Sequence, residues 1–170
     1  MWWSETRLKR GISRALLGCS LLWLTACGFH FRTAPEFPAD MAVTYIQTGD
    51  RYSLFYRELV STLRRNDITL TADPAEARTV IRIHSDETGR RTLTVTARNV
   101  PAEYEVYYRV TFSVEVNGKE VVPHEELFLT RDYPFDETQV LGKANEEQLI
   151  MQTISRDMVG LVSRRLAAIN

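Results

Sequence analysis

The side chains best suited to chemistry in this 170-residue chain are two cysteines, Cys19 and Cys27, and three histidines, His30, His84 and His124. A metal site would need such groups at ligand spacing, yet the sequence contains no CxxC, HxxH or HExxH pattern. Serines are frequent, but none stands in GxSxG or SxxK, and a nucleophilic triad cannot be argued without a base and the group that orients it. The paired acids Glu125-Glu126 and Glu146-Glu147 are adjacent, so each pair points to opposite faces of a strand or diverges by about 100° on a helix. They read as solvated charges, and the histidines as structural or solvated. No constellation here calls for an enzyme, a metal or a diffusible cofactor.

The cysteines need another explanation, and the elements around them supply it. Residues 1–14 carry Arg7, Lys9, Arg10 and Arg14 against the single acid Glu5, and residues 15–26 (ALLGCSLLWLTA) are almost wholly apolar. A basic stretch before a short apolar one is the layout of a secretory signal. Spanning a bilayer as a helix takes about 20 apolar residues, more than this run offers. The run ends in Leu24-Thr25-Ala26-Cys27, which resembles the lipobox of bacterial lipoproteins. There the cysteine is diacylated, freed by cleavage at its amino side and acylated again. Cys19 would leave with the signal, so Cys27 would have no disulfide partner, and acylation accounts for the odd thiol. Several acyl chains, at about 0.8 kcal/mol per buried methylene, make a lasting anchor where one does not. Gly28, rather than Asp, follows the cysteine, which by the lipoprotein sorting rule points to the outer membrane. The alternative reading of Cys27 is a buried thiol, or an ordinary cysteine near a conventional cleavage site.

Cleavage before Cys27 would leave 144 residues, enough for one domain and few for two. It would also leave 17 basic and 21 acidic residues, a net charge of −4 that gives no support to a nucleic-acid partner. The expected organisation is a signal peptide (1–26), a lipidated N-terminus and tether (27–40) containing Pro35 and Pro38, and a single domain (41–170).

Within that domain, residues 41–47 (MAVTYIQ) read as a strand. Leu59 and Leu63 then mark an amphipathic helix from Tyr52 to Asn66, with Asp50 as a candidate cap. From Thr79 the period changes to two. Ile81 and Ile83 oppose Arg82 and His84, and DETGR (86–90) is expected as a turn into a strand carrying Leu93, Val95 and Ala97. Tyr104, Val106, Tyr108, Val110, Phe112, Val114 and Val116 form an unbroken apolar face opposite Thr111 and Ser113. Asn117-Gly118 suits a tight hairpin. A return strand from Val121 to Arg131 contains Pro123, which belongs at an edge or a bulge. The last helix, Asn145 to Ala168, puts Ile154, Met158, Leu161, Val162 and Leu166 on one stripe, with Gln152, Arg156, Ser163 and Arg164 opposite. The expected fold is an α+β two-layer sandwich, with two helices on one face of a four- to five-stranded, mostly antiparallel sheet.

Three segments together resemble the LptE family of LPS-assembly lipoproteins: the start Cys27-Gly28-Phe29-His30-Phe31-Arg32, the strand PAEYEVYYRVTFSVEV, and the block DYPFDETQVLGKANEEQLIMQTISRDMVGLVSRRL. The resemblance covers nearly all of residues 24–169, with Phe29 standing where the family pattern has Trp and Phe31 where it has Leu. It implies a partner rather than a reaction: a plug inside the outer-membrane barrel LptD that assists barrel assembly and takes part in delivering lipopolysaccharide to the outer leaflet. The anchor it implies is the covalent N-acyl and S-diacylglycerol lipid on Cys27. Arg98, in TARNVPAEYE, and Lys143, in LGKANEE, match basic positions of the family pattern and become candidate contacts for lipid phosphates. The bland reading of both is a solvated loop charge or a contact with the barrel wall. The competing function is a lipoprotein subunit of a periplasmic transport or envelope complex that binds a small ligand between helices and sheet.

Overall fold

Alternating apolar residues 104–116 call for a strand buried on one face only, and the computed structural model, which describes residues 36–136 and 140–169, places that strand near the middle of the sheet. The signal segment and Cys27 lie outside the described residues. In chain order the elements are β1 (Val43–Gln47), α1 (Leu54–Arg65), β2 (Thr69–Leu70), β3 (Thr79–Val95), β4 (Pro101–Val116), β5 (Lys119–Pro134) and α2 (Val140–Ala167). Short 3-10 turns at Ala39–Met41 and Pro74–Glu76 complete them. The sheet order is β2-β1-β3-β4-β5. β1 runs parallel to both β2 and β3, whereas β3, β4 and β5 form an antiparallel meander.

Val106, Tyr108, Val110, Phe112 and Val114 of β4 are all buried, in one cluster with Phe55, Leu59 and Leu63 of α1 and Ile154, Met158, Val162 and Leu166 of α2. Both helices therefore cover the same side of the sheet, as the sequence pattern requires. The hairpin at Asn117-Gly118 forms as expected, with φ values of 51° and 76° that match the right-handed twist of the flanking strands. Pro123 meets both of its conditions. It lies on the edge strand β5, and the β4–β5 register shifts beside it, between Phe112 and Val114. Residues just before β1 already belong to the domain: Phe37 packs on the core, Met41 is fully buried, and the Thr79 hydroxyl donates to the Asp40 carbonyl at 3.0 Å.

Four local expectations are corrected. Residues 86–90 are not a turn. β3 continues through them, with Asp86 opposite Val110 and Arg90 opposite Val106. Gly89 serves the strand by its missing side chain, because a Cβ there would stand 2.5 Å from the Tyr107 hydroxyl, whose ring lies across the glycine. Helix α1 is capped by Ser53, whose Oγ accepts the Tyr56 amide at 3.0 Å, while Asp50 only closes a local turn by accepting the Tyr52 amide at 2.7 Å. Ser163 is 3% exposed rather than outward-facing, and Ser155, earlier on the same helix, is 2% exposed, whereas Leu161 is only half-buried. Finally α2 begins at Val140, before the expected Asn145. The two-residue β2, which the sequence reading did not include, extends the sheet beyond β1.

Candidate functional site

The two candidate phosphate contacts lie on different elements, Arg98 between β3 and β4 and Lys143 on α2. Arg98 sits in the short turn between β3 and β4, closed by hydrogen bonds from Thr96 N to Val100 O (2.8 Å) and from Asn99 N to Thr96 O (2.9 Å). Asn99 takes a left-handed φ of 60°, which the small polar Asn tolerates. That turn leaves Arg98 exposed. Lys143, expected in the loop before the last helix, instead lies within the first turn of α2, where its ammonium pairs with Glu146 at 2.7 Å and its side chain is 16% exposed. No hydrogen bond or ion pair among the described residues joins Arg98 to Lys143.

What ties the start of α2 to the sheet is a group centred on Glu147, which the sequence pattern marked as a solvated charge but whose side chain is only 15% exposed. Glu147 on α2 accepts Arg90 Nη1 from β3 at 2.6 Å and the Tyr133 hydroxyl from β5 at 2.8 Å, so one carboxylate ties the helix to two strands. Burial, and then the hydrogen bond to Glu147, push the Tyr133 phenol above its ordinary pKa, so it stays a donor. The Arg90 guanidinium lies 4.8 Å over the Tyr104 ring, which meets Phe135 edge-on at 5.0 Å. A sequence signal existed in the repeated aromatics of β4 and β5, but nothing local pairs Glu147 with a strand more than fifty residues away.

The face of the sheet opposite the helices is polar and internally paired. Arg82 forms a two-pronged ion pair with Glu115, its Nη2 reaching Oε2 at 3.0 Å, and its Nε donates to Gln47 at 3.0 Å. His84 Nε2 and Ser113 Oγ are 2.8 Å apart, and Ser85 donates to Thr111 at 3.0 Å. The His84 ring stacks on His124 with 3.7 Å between centroids. Desolvation, then the positive fields of His124 and Arg82, push the His84 pKa down. Among the described residues no three His, Cys, Asp or Glu side chains are grouped to hold a metal ion.

Residues 41–166, essentially the whole α+β unit just described, match the family described as "LptE: Lipopolysaccharide-assembly". The chain belongs to the LptE family. As a member of a lipopolysaccharide-assembly family it is not an enzyme. The LPS-assembly lipoprotein LptE of Yersinia enterocolitica is 22% identical over 164 residues, covering 96% of this chain and 79% of that protein. The LptE lipoprotein of Pectobacterium atrosepticum is 23% identical, with 96% and 89% covered. Among solved structures, the rare lipoprotein B of Shewanella oneidensis superposes with a TM-score of 0.65 at 27% identity, over 74% of this chain and 94% of its own. A lipoprotein B from Nitrosomonas europaea gives 0.69 at 24% identity, over 83% and 91%, a likeness of fold. The LptE match runs through both Arg98 and Lys143, so the basic positions lie inside the family domain.

Proposed function

We propose that this LptE-family chain works as a lipid-anchored plug of an outer-membrane barrel of the LptD kind, helping that barrel assemble and taking part in lipopolysaccharide delivery, with Arg98 and Lys143 as phosphate contacts. The observation that carries the reading is the family match over residues 41–166. The open sheet face supports it. Wide barrels enclose a polar lumen, and a face whose charges are already paired, as Arg82 is with Glu115, can be enclosed without stranding an unpartnered ion.

The test is extraction of the full chain from outer membranes. It is expected to copurify with a barrel of LptD size, and recovery of the chain alone would instead favour a small-ligand lipoprotein. A lumen-filling plug buries at least the roughly 1,200–2,000 Å² of a standard stable complex, so two charges contribute little to holding it there. Arg98→Asp with Lys143→Asp is therefore expected to leave the complex intact while weakening lipopolysaccharide binding in a salt-sensitive way. Normal lipopolysaccharide binding by the double variant would remove both residues from the ligand site. Loss of the complex would move them to the partner interface.

Membrane attachment through Cys27 makes a second prediction. Mass spectrometry of the membrane-extracted protein is expected to find Cys27 as an acylated first residue, and Cys27→Ala is expected to give a soluble or unprocessed chain. An unmodified mature start elsewhere would refute the anchor.

A further inference from the structure

At the end of β4 away from Arg98, the β4–β5 hairpin, the 3-10 turn before β1 and the residues after α2 surround a pocket of about 380 Å³. Its walls are Pro38, Val116, Val121 and Ile169, all half-buried, so each keeps accessible apolar surface, and the fully buried Met41 lies behind them as part of the core cluster. A space lined in this way suits water poorly, because an ordered water needs two to four polar partners. The charges at the rim are unequal. Asp40 faces Arg78 at 3.9 Å, whereas Lys119 is exposed and forms no hydrogen bond or ion pair among the described residues. The hairpin fixes where that lysine stands: Lys119 pairs with Val116 across the Asn117-Gly118 turn, and residues directly opposite each other share a face of the sheet.

We propose that this pocket takes a single aliphatic chain carrying an anionic head, with the chain along Pro38, Val116, Val121 and Ile169 and the head beside Lys119. The volume falls toward the lower end of the roughly 300–1,000 Å³ of small-ligand pockets, and the accessible side chains of the wall are aliphatic, which fits a chain of methylenes. One unengaged cation beside an acid that already faces a guanidinium favours an anionic head over a neutral or cationic one. The lysine stem can lie along the apolar chain while its ammonium stays in water next to the head. Pro101 and Val116 are the two ends of β4, so the pocket is far from the Arg98 turn and stands or falls independently of the barrel-plug reading.

The full chain in a fixed concentration of a sugar-headed detergent, titrated with decanoate, decanol and decyltrimethylammonium while the methyl groups of Val121 and Ile169 are followed by NMR, tests this directly. Saturable shifts with decanoate are expected, with decanol weaker by about threefold or more and no saturable response to the cation. Lys119→Gln, an exposed change that leaves the fold intact, is expected to weaken decanoate by about threefold and to leave decanol unchanged. Ile169→Trp, which fills the pocket from the end of the chain, is expected to abolish the response of Val121 to both while the melting temperature is unchanged or raised. Dihexanoyl phosphatidylglycerol separates the sources: tighter binding than decanoate would support a membrane lipid, and weaker binding a free fatty acid. Absence of saturable decanoate binding, unchanged decanoate affinity in Lys119→Gln, an unchanged response in Ile169→Trp, or saturation by an apolar peptide but not by decanoate would each overturn the proposal.

Discussion

Replacing Phe112 by alanine is expected to lower the unfolding free energy by about 3–5 kcal/mol, measured as a reduced denaturant midpoint with little change in slope. Phe112 is fully buried at the middle of β4, in the cluster that joins the sheet to both helices, so its deletion leaves a void that three elements must close around. The neighbouring Thr111→Ala removes a methyl and a hydroxyl that accepts from Ser85 at 3.0 Å on the half-buried opposite face, and is expected to cost about 1 kcal/mol. Equal effects at the two positions would show that the helices cover the other face.

Tyr108→Phe is expected to destabilise by about 1–3 kcal/mol although no carbon is removed. The Tyr108 hydroxyl accepts the amide of Phe55 at 3.2 Å, in the first turn of α1, where helix amides have no partner of their own. Ser53 serves the Tyr56 amide, and β4 thus supplies a second, long-range cap for the same helix. Burial first, and then the Asp86 carboxylate, raise the phenol far above its ordinary pKa, so the group stays neutral at neutral pH and above it. The loss in Tyr108→Phe is accordingly expected to be independent of pH from about 5 to 9, well below the ordinary phenol value. Hydrogen exchange at Phe55 is the sharper readout: its amide is expected to lose protection first, and unchanged protection there would show that the tyrosine acts by packing alone.

The sequence was most readable where one face of an element is buried along its whole length. β4 could be assigned residue by residue because Val106 to Val114 alternate against covered and open sides, and Asn117-Gly118 announced its turn by backbone tolerance. It was least readable where that contrast fails. In β3 beyond Ile83 no residue is fully buried, so Asp86 to Arg90 carries no periodic signal, and Gly89 resembles a turn residue although its role is to admit the Tyr107 ring. Ser155 and Ser163 misled or went unread for a related reason: small polar side chains are compatible with a helix contact as well as with solvent. At the candidate site, Arg98 was placed correctly in its turn. The Lys143–Glu146 pair is local, three residues apart on one helix, and went unread because α2 begins earlier than expected, whereas the hold of Glu147 on Arg90 and Tyr133 depends on α2 crossing the strands, which no local pattern encodes.

The mixed sheet also sets an order of events in time. β3, β4 and β5 are joined by two tight turns, so their pairing closes short loops and forms early, whereas β1 reaches β3 only after α1 and β2 have been spanned, from Thr44 to Thr79. With the meander expected first and the parallel edge last, the residues of β1 are expected to dock after β3, β4 and β5 have paired. By the same loop-length argument the meander is expected to form while β1, the strand nearest the N-terminus, is still unpaired.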